Sequence, residues 1–155
     1  MEGCHRGAPG MSCDVTATVA LSVPRRRILR TAHAALRALG SDRGGANVSL
    51  AFVGDVAMRS LNRRYRRVQG TTDVLSFPGK DDFLGELVIS VPQAQRQARR
   101  CGHSLAKELD VLIVHGLLHL VGHTHGTAAS RARMQRLERR LLAGSSLVHR
   151  STRAA

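Results

Sequence analysis

Between positions 115 and 125 the chain reads His-Gly-Leu-Leu-His-Leu-Val-Gly-His-Thr-His, a stretch that gathers four of its 8 histidines. Neutral imidazole is the commonest side-chain ligand of catalytic transition metals. His115 and His119 are four residues apart, so on a helix both side chains rise from one face and can grip a single ion. A third ligand needs a change of direction, because a continued helix would turn His125 away from that face. Gly122 stands where a left-handed residue ends a helix, and a chain that doubles back there brings His125 to the same ion. If the helix ran on for another turn, His123 would take that place instead, so spacing alone offers two third ligands. Three nitrogens leave one tetrahedral position for water, the layout of a catalytic rather than a structural zinc site. A single histidine on an apolar helix is ordinarily a core residue, but a third and fourth just beyond a glycine favour the metal.

The spacing resembles the metalloprotease motif H-E-x-x-H-x-x-G-x-x-H. Gly116 stands where those enzymes carry the glutamate that acts as general base, so peptide hydrolysis by that route lacks its proton acceptor. The full run His115-Gly116-Leu117-Leu118-His119-Leu120-Val121-Gly122-His123-Thr124-His125 is similar to H-G-x-L-H-L-x-G-Y-D-H, the signature of the YbeY family of bacterial rRNA-maturation endoribonucleases. Two further blocks agree in order and separation: Met58-Arg59-Ser60-Leu61-Asn62-Arg63-Arg64-Tyr65-Arg66, and Thr72-Asp73-Val74-Leu75-Ser76-Phe77-Pro78 followed by Leu84-Gly85-Glu86-Leu87-Val88-Ile89-Ser90.

The resemblance implies one zinc ion on His115, His119 and His125, and catalytic roles for Arg59, His115 and His119, with Arg59 as the cation that holds the phosphate. It also implies cleavage of single-stranded RNA in 16S rRNA 3′-end maturation and ribosome quality control, in the cytoplasm of a bacterium. Either water or the substrate's own 2′-hydroxyl serves as nucleophile; a 2′,3′-cyclic phosphate product would mark internal attack and a simple monoester would mark water. Departures from the family pattern are Thr124 for its Asp, His123 for its Tyr, and Glu86-Leu87 for Asp-Ile. Losing a carboxylate that orients a ligand histidine typically costs about 10- to 100-fold in metal affinity or activity. Two other readings compete. One is a metal-stabilised, non-catalytic rRNA-binding ribosome-assembly factor, and the other is a metallohydrolase of a small or peptide substrate.

Composition frames these readings. With 24 Lys plus Arg against 11 Asp plus Glu, the net charge of +13 attracts polyanions and favours RNA over a small neutral substrate. Nearly all of that charge is arginine, whose planar fork suits phosphate, and it clusters at Arg25-Arg26-Arg27-Arg30, Arg63-Arg64-Arg66-Arg67 and Arg96-Arg99-Arg100. Aromatics make up only 3% of the chain, which argues against base stacking on aromatic platforms. Cys4, Cys13 and Cys101 are odd in number and show no C-x-x-C spacing, as expected of reduced thiols in a cytosolic protein. No apolar run is long enough for a membrane span.

The elements that must position the histidines follow from periodicity. At 155 residues and 43% hydrophobic, one domain over 14–143 can bury its own core, with 1–13 as a disordered extension and 144–155 as a basic tail; Met11 is an alternative start. Alternation over Val15–Leu21 predicts a strand, and Pro24 opens a helix whose stripe is Ile28, Leu29, Ala32, Leu36 and Leu39, stopped by Gly40. Strands follow at 48–53, 74–77 and 86–90, with a short helix between the first two that Asp55 caps. Helices at about 92–101, 104–121 and 127–143 complete the chain. The order predicts an α+β fold in which a small mixed sheet of about four strands packs against about five helices. The stretch 109–121 is apolar nearly all round, so the metal site should lie at the end of a central buried helix, with Glu108 and Asp110 at its wetter start. Glu108 reads as a solvated residue, Asp73 as either a turn former or a cleft residue, and Met134, Leu137, Glu138 and Leu141 as the core-facing stripe of the last helix.

Overall fold

A computed structural model describes residues 12–40, 47–123 and 126–151. The elements are β1 (Ser12–Ala17), α1 (Arg25–Ala38), β2 (Asn47–Val53), α2 (Asp55–Arg66), β3 (Val74–Pro78), β4 (Phe83–Ser90), α3 (Val91–Cys101), α4 (Leu105–Leu120) and α5 (Ala128–Ser151). The sheet runs in the order β1-β2-β4-β3, with β1, β2 and β4 parallel and β3 antiparallel to β4. This is the α+β class expected, a mixed four-stranded sheet with helices packed on it. No helix among the described residues is long and apolar enough to cross a membrane.

Several boundaries differ from expectation: β4 begins at Phe83 rather than 86, and α5 runs on to Ser151 rather than ending at 143. β1 begins at Ser12 and ends at Ala17, because only Val15 of the alternating set is buried in the strand, while Val19 and Leu21 reach the core from the bend that follows. Asp55 does not cap α2. Gly54 is the N-cap without a side-chain bond, and the Asp55 carboxylate instead accepts both Arg96 Nη groups at 2.8 and 3.0 Å, tying α2 to α3. The hydrogen bonds from Arg96 are the main cause holding the Asp55 carboxyl below its usual range, helped by the charges of Arg96 and Arg59 and by a bond from Ser90, against a smaller opposing effect of burial. A depressed folded pKa contributes stability above the ordinary carboxylate range that is lost as pH falls through the lowered value. The stability advantage of wild type over Arg96→Gln should therefore be present at neutral pH and close in acid, as measured by urea denaturation across pH. A gap that stayed constant into strong acid would contradict it.

Helix α4 is the spine of the molecule. Leu109, Leu112, Ile113, Val114, Leu117 and Leu118 are each almost wholly buried, so the helix is apolar around most of its circumference as its sequence requires. Ser104 caps its start, its Oγ accepting the Lys107 N–H at 3.1 Å. Its end is set by Gly122, whose φ of +101° lets the Gly122 and His123 N–H groups bond back to the carbonyls of His119 and Leu118, both at 3.0 Å. The expected glycine stop is therefore present. Its start is drier than expected: Glu108 and Asp110 are 6% and 5% exposed. Asp110 accepts from Thr31 and Arg27 of α1, and Glu108 pairs with His103.

Gly116 explains how closely α4 lies on the sheet. A Cβ at this position would sit 2.7 and 2.8 Å from the two methyls of Leu87, a β4 residue with no exposed surface and no room to swing aside. Gly116→Ala mixes a clash with the roughly 1 kcal/mol that helix propensity returns. Gly116→Val is the cleaner probe and should cost about 3 kcal/mol, the upper end for overpacking a close-packed core. Thermal melting that left Gly116→Val unchanged would refute this packing role. The same geometry shows that position 116 faces the sheet at Leu87.

Candidate metal centre and its cleft

One turn of α4 carries His115 and His119, and their Nε2 atoms converge to 3.1 Å with the rings edge to face at 74°. Two imidazole nitrogens bound tetrahedrally to one zinc at 2.0–2.1 Å would stand about 3.3 Å apart, so the donor pair fits such an ion with almost no adjustment. The proton arrangement fits as well. His115 Nδ1 lies 2.5 Å from Glu138 Oε1 on α5, which favours the tautomer carrying its hydrogen on Nδ1 and turns the Nε2 lone pair toward His119. Histidine metal ligands are oriented by a carboxylate in this way.

Glu138 is the residue that sequence reasoning missed. Periodicity puts it on the core-facing stripe of the last helix, and Met134 and Leu141 of that stripe are buried, but Glu138 itself is bonded to the histidine rather than buried among apolar groups. A signal was present: Glu138 is the only acidic residue in an arginine-rich helix, on the same face as Met134 and Leu141.

Of the two third-ligand candidates, His123 does not extend the helix face. It follows the Gly122 reversal and borders a different hollow, with Thr127, Ser130, Arg133 and Arg136. His125 and Thr124 lie outside the described residues.

The histidine pair opens into a cleft of about 700 Å³ whose other wall is the β3 segment from Thr72 to Pro78, with Tyr65 and Arg66 from the end of α2. Asp73 belongs to this wall, and its carboxylate accepts the Val74 N–H at 2.8 Å while its carbonyl accepts the Ser90 N–H at 2.8 Å, so it both shapes the start of β3 and borders the cleft. Asn62, buried on α2, donates to the Gly70 carbonyl at 3.2 Å and fastens the loop that leads into this wall. Tyr65 is 56% exposed, meets Phe77 edge to face at 5.1 Å, and has the Arg64 guanidinium 5.5 Å from its ring centre. Aromatics are scarce in the chain, yet this pair sits at the cleft.

Arg59 is not in the histidine cleft. It borders a second hollow of about 650 Å³ on α2 with Ser60, Arg63, Gln69 and Gly70, so α2 contributes to both depressions. The arginine clusters also divide. Arg25 and Arg27 are engaged by the fold, donating to the Val15 carbonyl and to Asp110, and Arg96 is held by Asp55. Arg63, Arg64, Arg66 and Arg67 remain exposed, Arg66 bordering the histidine cleft and Arg63 the second hollow.

These features define an α+β protein with a converging histidine pair in an open cleft that Arg66 borders. Comparison with known sequences agrees on a single family. The model of the family described as Endoribonuclease YbeY matches residues 16–146, and the chain belongs to that family. It is 47% identical over 135 residues to Endoribonuclease YbeY of Moorella thermoacetica, across 78% of this chain and 84% of that protein. It is 43% identical over 128 residues to Endoribonuclease YbeY of an Anaeromyxobacter species, across 79% of this chain and 66% of that one. The solution structure of a protein from Thermotoga maritima shares the fold, with a TM-score of 0.64 at 22% identity over 90% of this chain and 93% of that one.

Proposed function

We propose that this chain is a metal-dependent endoribonuclease that cuts single-stranded RNA in the His115–His119 cleft. The observation that carries the reading is the convergence of the two Nε2 atoms with Glu138 behind one of them. His115, His119 and His125 would hold one zinc ion. Bound there, zinc supplies Lewis acidity toward a phosphodiester and its attacking oxygen.

The protein's own groups do the rest. Glu138 keeps His115 in its ligating tautomer and steadies the ring. The exposed arginines of α2 draw the RNA backbone in, and Arg59 with Arg63 fixes a phosphate in the adjoining hollow, where its charge offsets that of the substrate. Tyr65, backed by Phe77, offers a face on which one unpaired base stacks, and this selects single strands because a paired base has no free face. The substrate favoured by the family resemblance is the 3′ end of 16S rRNA in the bacterial cytoplasm.

Stacking is worth about 1–3 kcal/mol per base, so Tyr65→Ala should weaken binding of a short single-stranded RNA by about tenfold or more while Tyr65→Phe retains it. Fluorescence anisotropy reads this directly, and equal affinities for all three proteins would remove Tyr65 from the interface. The function itself is tested by incubating zinc-loaded protein with a single-stranded RNA spanning the small-subunit 3′ end and with the same RNA in a duplex. Cutting of the single strand alone is expected. Binding of both without cutting would favour the non-catalytic assembly-factor reading.

A further inference from the structure

The turn joining α3 to α4 brings together a second set of metal-type donors, away from the cleft. α3 ends at Cys101, Gly102 follows with φ +70°, and the chain enters α4 through the Ser104 cap. That left-handed step brings Cys101 Sγ, an imidazole nitrogen of His103 and a carboxylate oxygen of Glu108 within 4.8 Å of one another. His103 Nε2 and Glu108 Oε2 are in direct contact. Cys101 is an exposed free thiol, whereas Glu108 is 6% exposed.

We propose that Cys101, His103 and Glu108 form a second metal site, for a zinc-class divalent ion, that staples the end of α3 to the start of α4. The donor chemistry is the argument. Thiolate, imidazole and carboxylate are the three ligand types zinc accepts, and three protein donors leave one tetrahedral position for solvent. Coordination replaces the Cys101 S–H bond with a sulfur–metal bond and releases that proton to solvent. A buried carboxylate is costly unless compensated, and a divalent ion beside Glu108 compensates it more fully than a hydrogen bond from His103 alone. The site is separate from the cleft: Glu108 and His115 are seven residues apart, about 10.5 Å along the axis. A metal here would clamp the first turn of the helix that carries His115 and His119, and it would do so whether or not the cleft cleaves RNA.

Cobalt(II) separates the two sites, because only a thiolate ligand gives a sulfur-to-cobalt charge-transfer band in the near ultraviolet. Metal-free full-length protein would be titrated with Co2+ as wild type, as Cys101→Ser, and as the double variant His115→Ala with His119→Ala. The band should appear in wild type, survive in the histidine double variant, and be lost together with one bound equivalent in Cys101→Ser. The exposed position of Cys101 leaves the fold of that variant intact, which circular dichroism checks. Cys13 is a poor competitor because burial, with a smaller effect of Asp14, pushes its thiol up to about 11. No band in wild type, or a band that persists in Cys101→Ser, would overturn the proposal. Loss of the nitrogen-only equivalent alone would count against the cleft site and leave this one standing.

Discussion

Alanine at position 119 should leave a folded protein that has lost its cleft metal and cuts RNA at least about 10³-fold more slowly. The size follows from what the metal contributes: several kcal/mol of transition-state charge stabilisation, at a factor of ten per 1.36 kcal/mol. His119 is one of the two histidines on α4, and its Nε2 stands 3.1 Å from that of His115, so its removal leaves no imidazole pair in the cleft to grip an ion. The fold should survive because His119 is half-buried at the cleft edge, while the core around α4 rests on Leu112, Ile113, Leu117 and Leu118. Metal content, circular dichroism and cleavage would be measured on one preparation. A His119→Ala protein that failed to fold would point to a metal that serves stability, as in the assembly-factor reading.

The second large effect is expected from a residue that does not touch the substrate. Glu138→Gln preserves the shape of the side chain but removes the charge that steadies the His115 ring. Carboxylates in this position are worth about 10- to 100-fold in metal affinity or activity. A chelator-competition titration should find zinc affinity lowered by that factor, with Glu138→Ala at least as severe. The family's Asp at position 124 is Thr in this chain, and among the described residues Glu138 is the carboxylate bonded to the histidine pair. Unchanged zinc affinity in both variants would reduce Glu138 to a structural partner of His115.

Much of this was legible in the sequence because the signals were local. The four-residue spacing of His115 and His119, the apolar run of α4 and the glycine at 122 each act within one element, and the structure has all three as expected. What escaped depended on which elements pack together. Glu138 looked like one more position on an amphipathic stripe until α5 was laid against α4. Glu108 looked solvated because nothing in its own helix shows that the α3–α4 turn folds His103 over it. Asp55 looked like a helix cap because its partner Arg96 is 41 residues away. Gly116 was read for the glutamate it lacks, whereas its location explains it by the space Leu87 occupies. A low aromatic content says nothing about where the few aromatics gather, and Tyr65 and Phe77 meet at the cleft.

The most direct test is RNA cleavage under metal control: purified protein on a single-stranded RNA spanning the small-subunit 3′ end, first zinc-loaded, then stripped by a chelator, then reloaded, beside folded His119→Ala. The account predicts cleavage that disappears on stripping, returns on reloading, and never appears in the variant. Cleavage that persisted in the stripped protein, or in folded His119→Ala, would contradict it.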